Sequence, residues 1–149
     1  MVFNSFLKME NKENYTNLSK LVEKLRNSDD PKRKYEYILW LGKKLKEPDC
    51  KILVEENKVK GCVSEVFVKA NIKGGKLFWE GYSDALITKG LLAFLITGLN
   101  DLTPNEVVNV NKKFIEDTGL KASLTPSRSN GFLNILLKMQ SQANAFLLI

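Results

Sequence analysis

The chain has 149 residues, 44% hydrophobic and 27% charged, which suffices for one proper hydrophobic core. It contains no histidine and two cysteines, Cys50 and Cys62, so Ser-His and Cys-His nucleophile pairs, imidazole-dependent zinc sites and closed all-thiolate zinc sites are excluded. The net charge of +6, from 23 Lys and Arg against 17 Asp and Glu, raises a nucleic-acid partner, but the lysines are interleaved with acids and no nucleic-acid motif accompanies them.

Residues 1 to 15 are polar and aperiodic and read as a loosely ordered leader, with 16 to 149 as a single domain. Lys8, Glu10, Lys12 and Glu13 interrupt any signal-peptide core near Phe6-Leu7, so export is not expected. Leu18, Leu21, Val22 and Leu25 fall at i, i+3, i+4 and i+7, one face of a helix that Thr16 or Asn17 caps. Asn27-Ser28-Asp29-Asp30 breaks it. Pro31 then suits the first turn of a second helix with the stripe Tyr35, Ile38, Leu39, Leu41 and Leu45. From Lys46 to Lys60 the chain is a polar loop that Ile52-Leu53-Val54 pins to the core. Cys50 lies in this loop, either as a resolving thiol for Cys62 or as an incidental cysteine.

Gly61 precedes Cys62 and permits a sharp turn that presents the sulfur at a loop tip. Taken locally, Cys62 is either a reactive thiol or a small buried hydrophobe. After it the period becomes two, with Val66, Val68, Ala70 and Ile72 on one face of a strand. Lys73-Gly74-Gly75-Lys76 is a hairpin turn, and Leu77 to Gly81 returns as the partner strand. Ser83 and Asp84 stand where they cap the next helix, or where Asp84 brings its charge to the Cys62 loop. That helix, Ala85 to Leu99, is apolar nearly all round and is the expected central element. Lys89 interrupts it, and it is shorter than the roughly 20 apolar residues a membrane span needs. Gly90 suggests a close approach of this helix to the sheet. Thr103-Pro104 opens a short helix, Asn111 to Thr118 forms another that Gly119 ends, and Phe132, Ile135, Leu136 and Met139 line a terminal helix. Arg128, ahead of that stripe, is either a surface cation or a counter-charge that lowers the pKa of a nearby thiol.

Four blocks carry a family resemblance. They are Lys34-Tyr35-Glu36-Tyr37-Ile38-Leu39 with Leu41-Gly42-Lys43-Lys44-Leu45, then Asn57-Lys58-Val59-Lys60-Gly61-Cys62-Val63-Ser64, then Gly81-Tyr82-Ser83-Asp84-Ala85 with Lys89-Gly90-Leu91, and Leu124-Thr125-Pro126-Ser127-Arg128-Ser129-Asn130-Gly131. In this order, over about residues 18 to 142, the chain resembles the SufE family of sulfur-acceptor proteins of iron-sulfur cluster assembly. Phe67 departs from the pattern, standing where the family usually has tryptophan.

The resemblance implies an α+β fold, a small antiparallel β-sheet packed with several helices, similar to SufE and the iron-sulfur scaffold proteins. It implies that Cys62 is the persulfide acceptor, with Gly61 as loop pivot, Asp84 near the active loop and Arg128 stabilising the thiolate or persulfide. The implied protein is a covalent carrier and activator, not an independent enzyme. No cofactor or metal of its own is expected, and the low cysteine count, the interrupted leader, the short apolar run and the scattered lysines point to the cytoplasm, without membrane or nucleic acid. A pyridoxal-phosphate-dependent cysteine desulfurase would be the partner and an iron-sulfur scaffold complex the downstream acceptor. The reading left beside it is a basic nucleic-acid or protein-binding module in which Cys62 is structural.

Overall fold

The computed structural model describes residues 15–148; the leader, apart from Tyr15, lies outside the described residues. Helices α1 (Thr16–Arg26) and α2 (Pro31–Lys43) come first, and a loop with two short 3-10 turns, Cys50–Ile52 and Glu55–Asn57, leads to strands β1 (Val66–Lys73) and β2 (Lys76–Ser83). Helix α3 (Leu86–Leu99) follows, then the short α4 (Pro104–Val108) and α5 (Phe114–Asp117), and the long terminal α6 (Pro126–Leu147). The fold is α+β: a two-stranded antiparallel sheet with helices packed around α3. Among the described residues no helix is long and apolar enough to cross a membrane.

Local chemistry sets most boundaries. In α1 the inward residues are Leu18, Leu21, Val22 and Leu25 as the spacing predicts, but the helix begins at Thr16 and Tyr15 takes the capping position. Tyr15 is itself buried, and its hydroxyl donates to the Glu106 carbonyl at 2.8 Å. Asp30 caps α2 by accepting from the Lys32 amide at 2.9 Å, with Pro31 in the first turn. The expected α2 stripe holds at Ile38 and Leu41, whereas Tyr35 faces outward. Of Ile52, Leu53 and Val54 only Ile52 is buried, so it alone pins the loop.

Strands β1 and β2 pair from Val66↔Ser83 to Lys73↔Lys76. Ile72 is 46% exposed, against the expected alternation, although Leu77, its partner across the ladder, is fully buried. The outer edge of β1 is covered from α6: the Ala70 amide donates to Gln142 Oε1 at 2.8 Å and Gln142 Nε2 donates to the Val68 carbonyl at 2.7 Å. A side-chain amide thus satisfies backbone groups that would otherwise form a bare sheet edge.

Helix α3 is buried except at Leu86, Lys89 and Thr97. Its Phe94 meets Phe132 of α6 edge-on at 5.6 Å and stacks with Phe114 of α5 at 6.4 Å, centroid to centroid. The close approach at Gly90 is to α2, not to the sheet: a Cβ there would lie 2.2 Å from the Ile38 carbonyl oxygen. The sheet makes its own close approach at Gly81, where a Cβ would lie 2.7 Å from Leu92.

Helix propensity alone says that Gly90→Ala gains about 1 kcal/mol. The steric conflict is with backbone, which cannot swing aside, and overpacking of this kind costs about 1–3 kcal/mol. Gly90→Ala is therefore expected to lower the urea midpoint of unfolding; an unchanged or raised midpoint would contradict the contact between α2 and α3.

Candidate functional site

The loop carrying Cys62 is closed at its base by an isolated antiparallel bridge, Lys58↔Phe67, and by the Val59 amide donating to the Val66 carbonyl at 2.8 Å. Residues 60–65 therefore bulge from the start of β1 toward the first turns of α6. Gly61 has φ +81°, a left-handed conformation that L side chains rarely adopt, and a Cβ there would lie 2.6 Å from Asn134 Nδ2. Asn134 donates to the Gly61 carbonyl at 3.0 Å, so α6 grips the loop immediately before the cysteine.

Cys62 is half-buried, its Sγ 3.8 Å from the Gly131 carbonyl oxygen, a weak thiol hydrogen bond into α6. A Cβ on Gly131 would lie 3.6 Å from the sulfur. On the other side Val63 is 79% exposed. The thiol thus rests against the core with an apolar neighbour turned to solvent.

Asp84 belongs to the base of this loop. Its Oδ1 accepts from the Glu65 amide at 3.0 Å, and its own amide donates to the Glu65 carbonyl at 3.2 Å. It therefore latches the loop instead of capping α3; Ser83 Oγ accepts from the Ala85 amide at 3.3 Å, one residue ahead of the helix.

Arg128 reaches the loop from the first turn of α6. Thr125 caps that helix by accepting from the Arg128 amide at 3.3 Å. The guanidinium Nη1 donates to Ser64 Oγ and, at 2.8 Å, to Thr88 Oγ1. Burial pushes the Cys62 thiol above its ordinary pKa, and the positive charge of Arg128 pulls it back in part.

Cys62, Gly61, Asp84 and Arg128 thus converge on one loop. Cys50 stands apart in the loop after α2, exposed and with a free thiol, next to Asp49, whose amide donates to Glu80 Oε1 at 3.0 Å. Sequence reasoning missed the roles of Ser64, Thr88, Gly131 and Asn134. The available signal was Thr88, a hydroxyl beside Lys89 near the start of a mostly apolar helix. Among the described residues no group of three or more carboxylates and thiols converges as a metal-ligand set.

Because thiolate is the reactive form, Cys62 alkylation should climb with pH and level off only above the ordinary thiol range; a plateau below that range would contradict the dominance of burial. Asp84→Ala should accelerate exchange of the Glu65 amide and speed Cys62 alkylation at fixed pH, and unchanged exchange would show that the loop is not latched there.

Comparison with known proteins adds the following. A family model described as "SufE: Fe-S metabolism associated domain" matches residues 19–143. An uncharacterised SufE-like protein of Synechocystis is 52% identical over 130 residues, covering 87% of this chain and 82% of that protein. The SufE-like protein 1, chloroplastic/mitochondrial, of Arabidopsis thaliana is 39% identical, over 85% of this chain and 34% of its own length. A cysteine desulfuration protein SufE of Plasmodium vivax is 40% identical, over 76% of this chain and 46% of its own. The chain thus spans about a third and about half of the last two. A solution structure of a hypothetical protein from Thermus thermophilus superposes with a TM-score of 0.77 at 26% identity, covering 89% of this chain and 97% of that one.

Proposed function

The chain belongs to the SufE family, whose domain is associated with Fe-S metabolism, and from that premise we propose that Cys62 accepts persulfide sulfur from a cysteine desulfurase. The observation that carries the reading is a half-buried thiol on a loop latched at Asp84 and gripped at Gly61, with the Arg128 charge acting on it.

The partner is a pyridoxal-phosphate-dependent desulfurase that holds sulfur as an enzyme persulfide. The Cys62 thiolate attacks the outer sulfur of that persulfide. A sulfur–sulfur bond forms to Cys62 as the one to the desulfurase cysteine breaks, and the desulfurase leaves as thiolate. The transferred sulfur keeps its proton, and no external oxidant or reductant is consumed. A histidine base is unnecessary, because a thiolate is already a strong nucleophile and persulfide sulfur is soft. The chain has none.

Removing sulfur frees the desulfurase for another turnover, so the chain acts as a carrier and activator and not as an independent catalyst. An iron-sulfur scaffold complex is the next acceptor. The reading needs a reducing compartment such as the cytoplasm, where thiolates are not trapped as disulfides. At rest the loop keeps the sulfur against α6, sheltered from solvent oxidants, and on docking it swings out about Gly61. Burial raises the thiol pKa, and Arg128 offsets part of that cost.

Alanine release by a family-matched desulfurase should rise when the chain is added and should not rise with Cys62→Ser. Equal stimulation by Cys62→Ser would favour a binding module in which Cys62 is structural. Arg128→Ala should slow transfer at neutral pH by about tenfold for each unit by which the thiol pKa rises, with folding retained; loss of folding would assign Arg128 a structural role instead.

A further inference from the structure

Thr88 lies in the first turn of α3 and is 3% exposed, on a helix whose other buried side chains are apolar. A hydroxyl buried there requires a polar partner. Its Oγ1 accepts from Arg128 Nη1 at 2.8 Å and lies 3.2 Å from Ser64 Oγ, to which the same Nη1 also donates. One guanidinium nitrogen is thus shared between two hydroxyls.

The two hydroxyls differ in what carries them. Ser64 is two residues after Cys62 and belongs to the loop. Thr88 belongs to α3, which Gly90 holds in backbone contact with α2. When the loop moves, Ser64 moves with it; Thr88 does not.

We propose that Thr88 is a positioning residue for Arg128, a fixed anchor that keeps the guanidinium at the site when the Cys62 loop carries Ser64 away. The inference rests on the sulfur-acceptor reading of Cys62. It adds that the returning persulfide meets a cation already in place, with no side chain to reorder. A persulfide is more acidic than a thiol, so after transfer it gives its proton to solvent and returns as an anion that a pre-held cation stabilises at once. A guanidinium suits this role because Nη1 carries two hydrogens and can keep one hydroxyl while releasing the other.

The test uses the full chain and reads Cys62 alkylation by iodoacetamide at neutral pH, with peptide mass separating Cys62 from Cys50. Thr88→Val removes the hydroxyl at nearly constant shape and should slow alkylation about threefold, equivalent to a pKa rise of roughly half a unit. Thr88→Ser should restore the parent rate. In an Arg128→Ala background Thr88→Val should add nothing. Ser64→Ala alone should retain most of the parent rate, while Ser64→Ala with Thr88→Val should fall to the Arg128→Ala level. The proposal is overturned if Thr88→Val reacts at the parent rate, if it slows alkylation equally without Arg128, or if Ser64→Ala alone falls to the Arg128→Ala level. Alkylation needs no desulfurase, so it reads Thr88 whether or not Cys62 accepts sulfur. A parent chain that gains no sulfur from a desulfurase would overturn the acceptor reading while leaving the anchoring result intact.

Discussion

Leu86–Leu99 presents apolar side chains in nearly every direction, and the rest of the fold is arranged to cover it. Burying a leucine- or phenylalanine-sized side chain is worth about 1.5–3 kcal/mol, so no side of this helix is left to water without a large loss. Helices α1 and α2 cover two sides, the sheet covers a third through Gly81, and α5 and α6 close the remainder around Phe94. Close contact is possible because glycines stand at the crossings: Gly90 and Gly42 between α3 and α2, and Gly98 against Leu18 of α1. The chain reaches α3 through β1 and β2 and passes from β2 into α3 within three residues, which puts the start of β1, the end of β2 and the start of α3 together.

The Cys62 loop sits at that junction, which explains the mixture of order and exposure around the sulfur. Three parts of the fold hold it: the turn between β2 and α3 through Asp84, α6 through Asn134, Gly131 and Arg128, and α3 through Thr88, which shares Arg128. Each hold is a few hydrogen bonds, worth about 0.5–1.5 kcal/mol net where both partners are neutral and about 1.5–3 kcal/mol where Asp84 or Arg128 takes part, a small cost beside that of disturbing the core. A loop can therefore leave and return while the helices stay fixed. The electrostatics point the same way. Burial disfavours the thiolate and Arg128 favours it, burial being the larger effect, so movement of the loop away from α6 would remove the larger of the two opposing effects.

Much of this architecture was legible in the sequence where a single pattern dominates. The i, i+3, i+4, i+7 spacing of Leu18, Leu21, Val22 and Leu25, the paired glycines at 74 and 75 and the all-round apolar run of α3 each admit one reading. Cys62, Asp84 and Arg128 stood out through the family blocks, and the structure brings all three to one loop. What was hidden depends on contacts between distant segments. Gly90 announces a close approach but not its partner, since Ile38 is far away in sequence. Asp84 satisfies both a capping and a latching reading until the position of Glu65 is known. Ile72 follows the strand alternation faithfully, yet it is half exposed while Leu77 across the ladder is buried, a difference between the two strands that alternation does not encode. The sharing of Arg128 between Ser64 and Thr88 joins three segments, and no local pattern encodes it.

The central claim is that Cys62 is the atom-accepting residue, and the mass of the chain reads this most directly. After incubation with a cysteine desulfurase and cysteine, followed by alkylation without reductant, the peptide containing Cys62 should carry one additional sulfur atom and the peptide containing Cys50 none. A Cys62 peptide with no added sulfur, under conditions where the desulfurase itself holds a persulfide, would contradict the account.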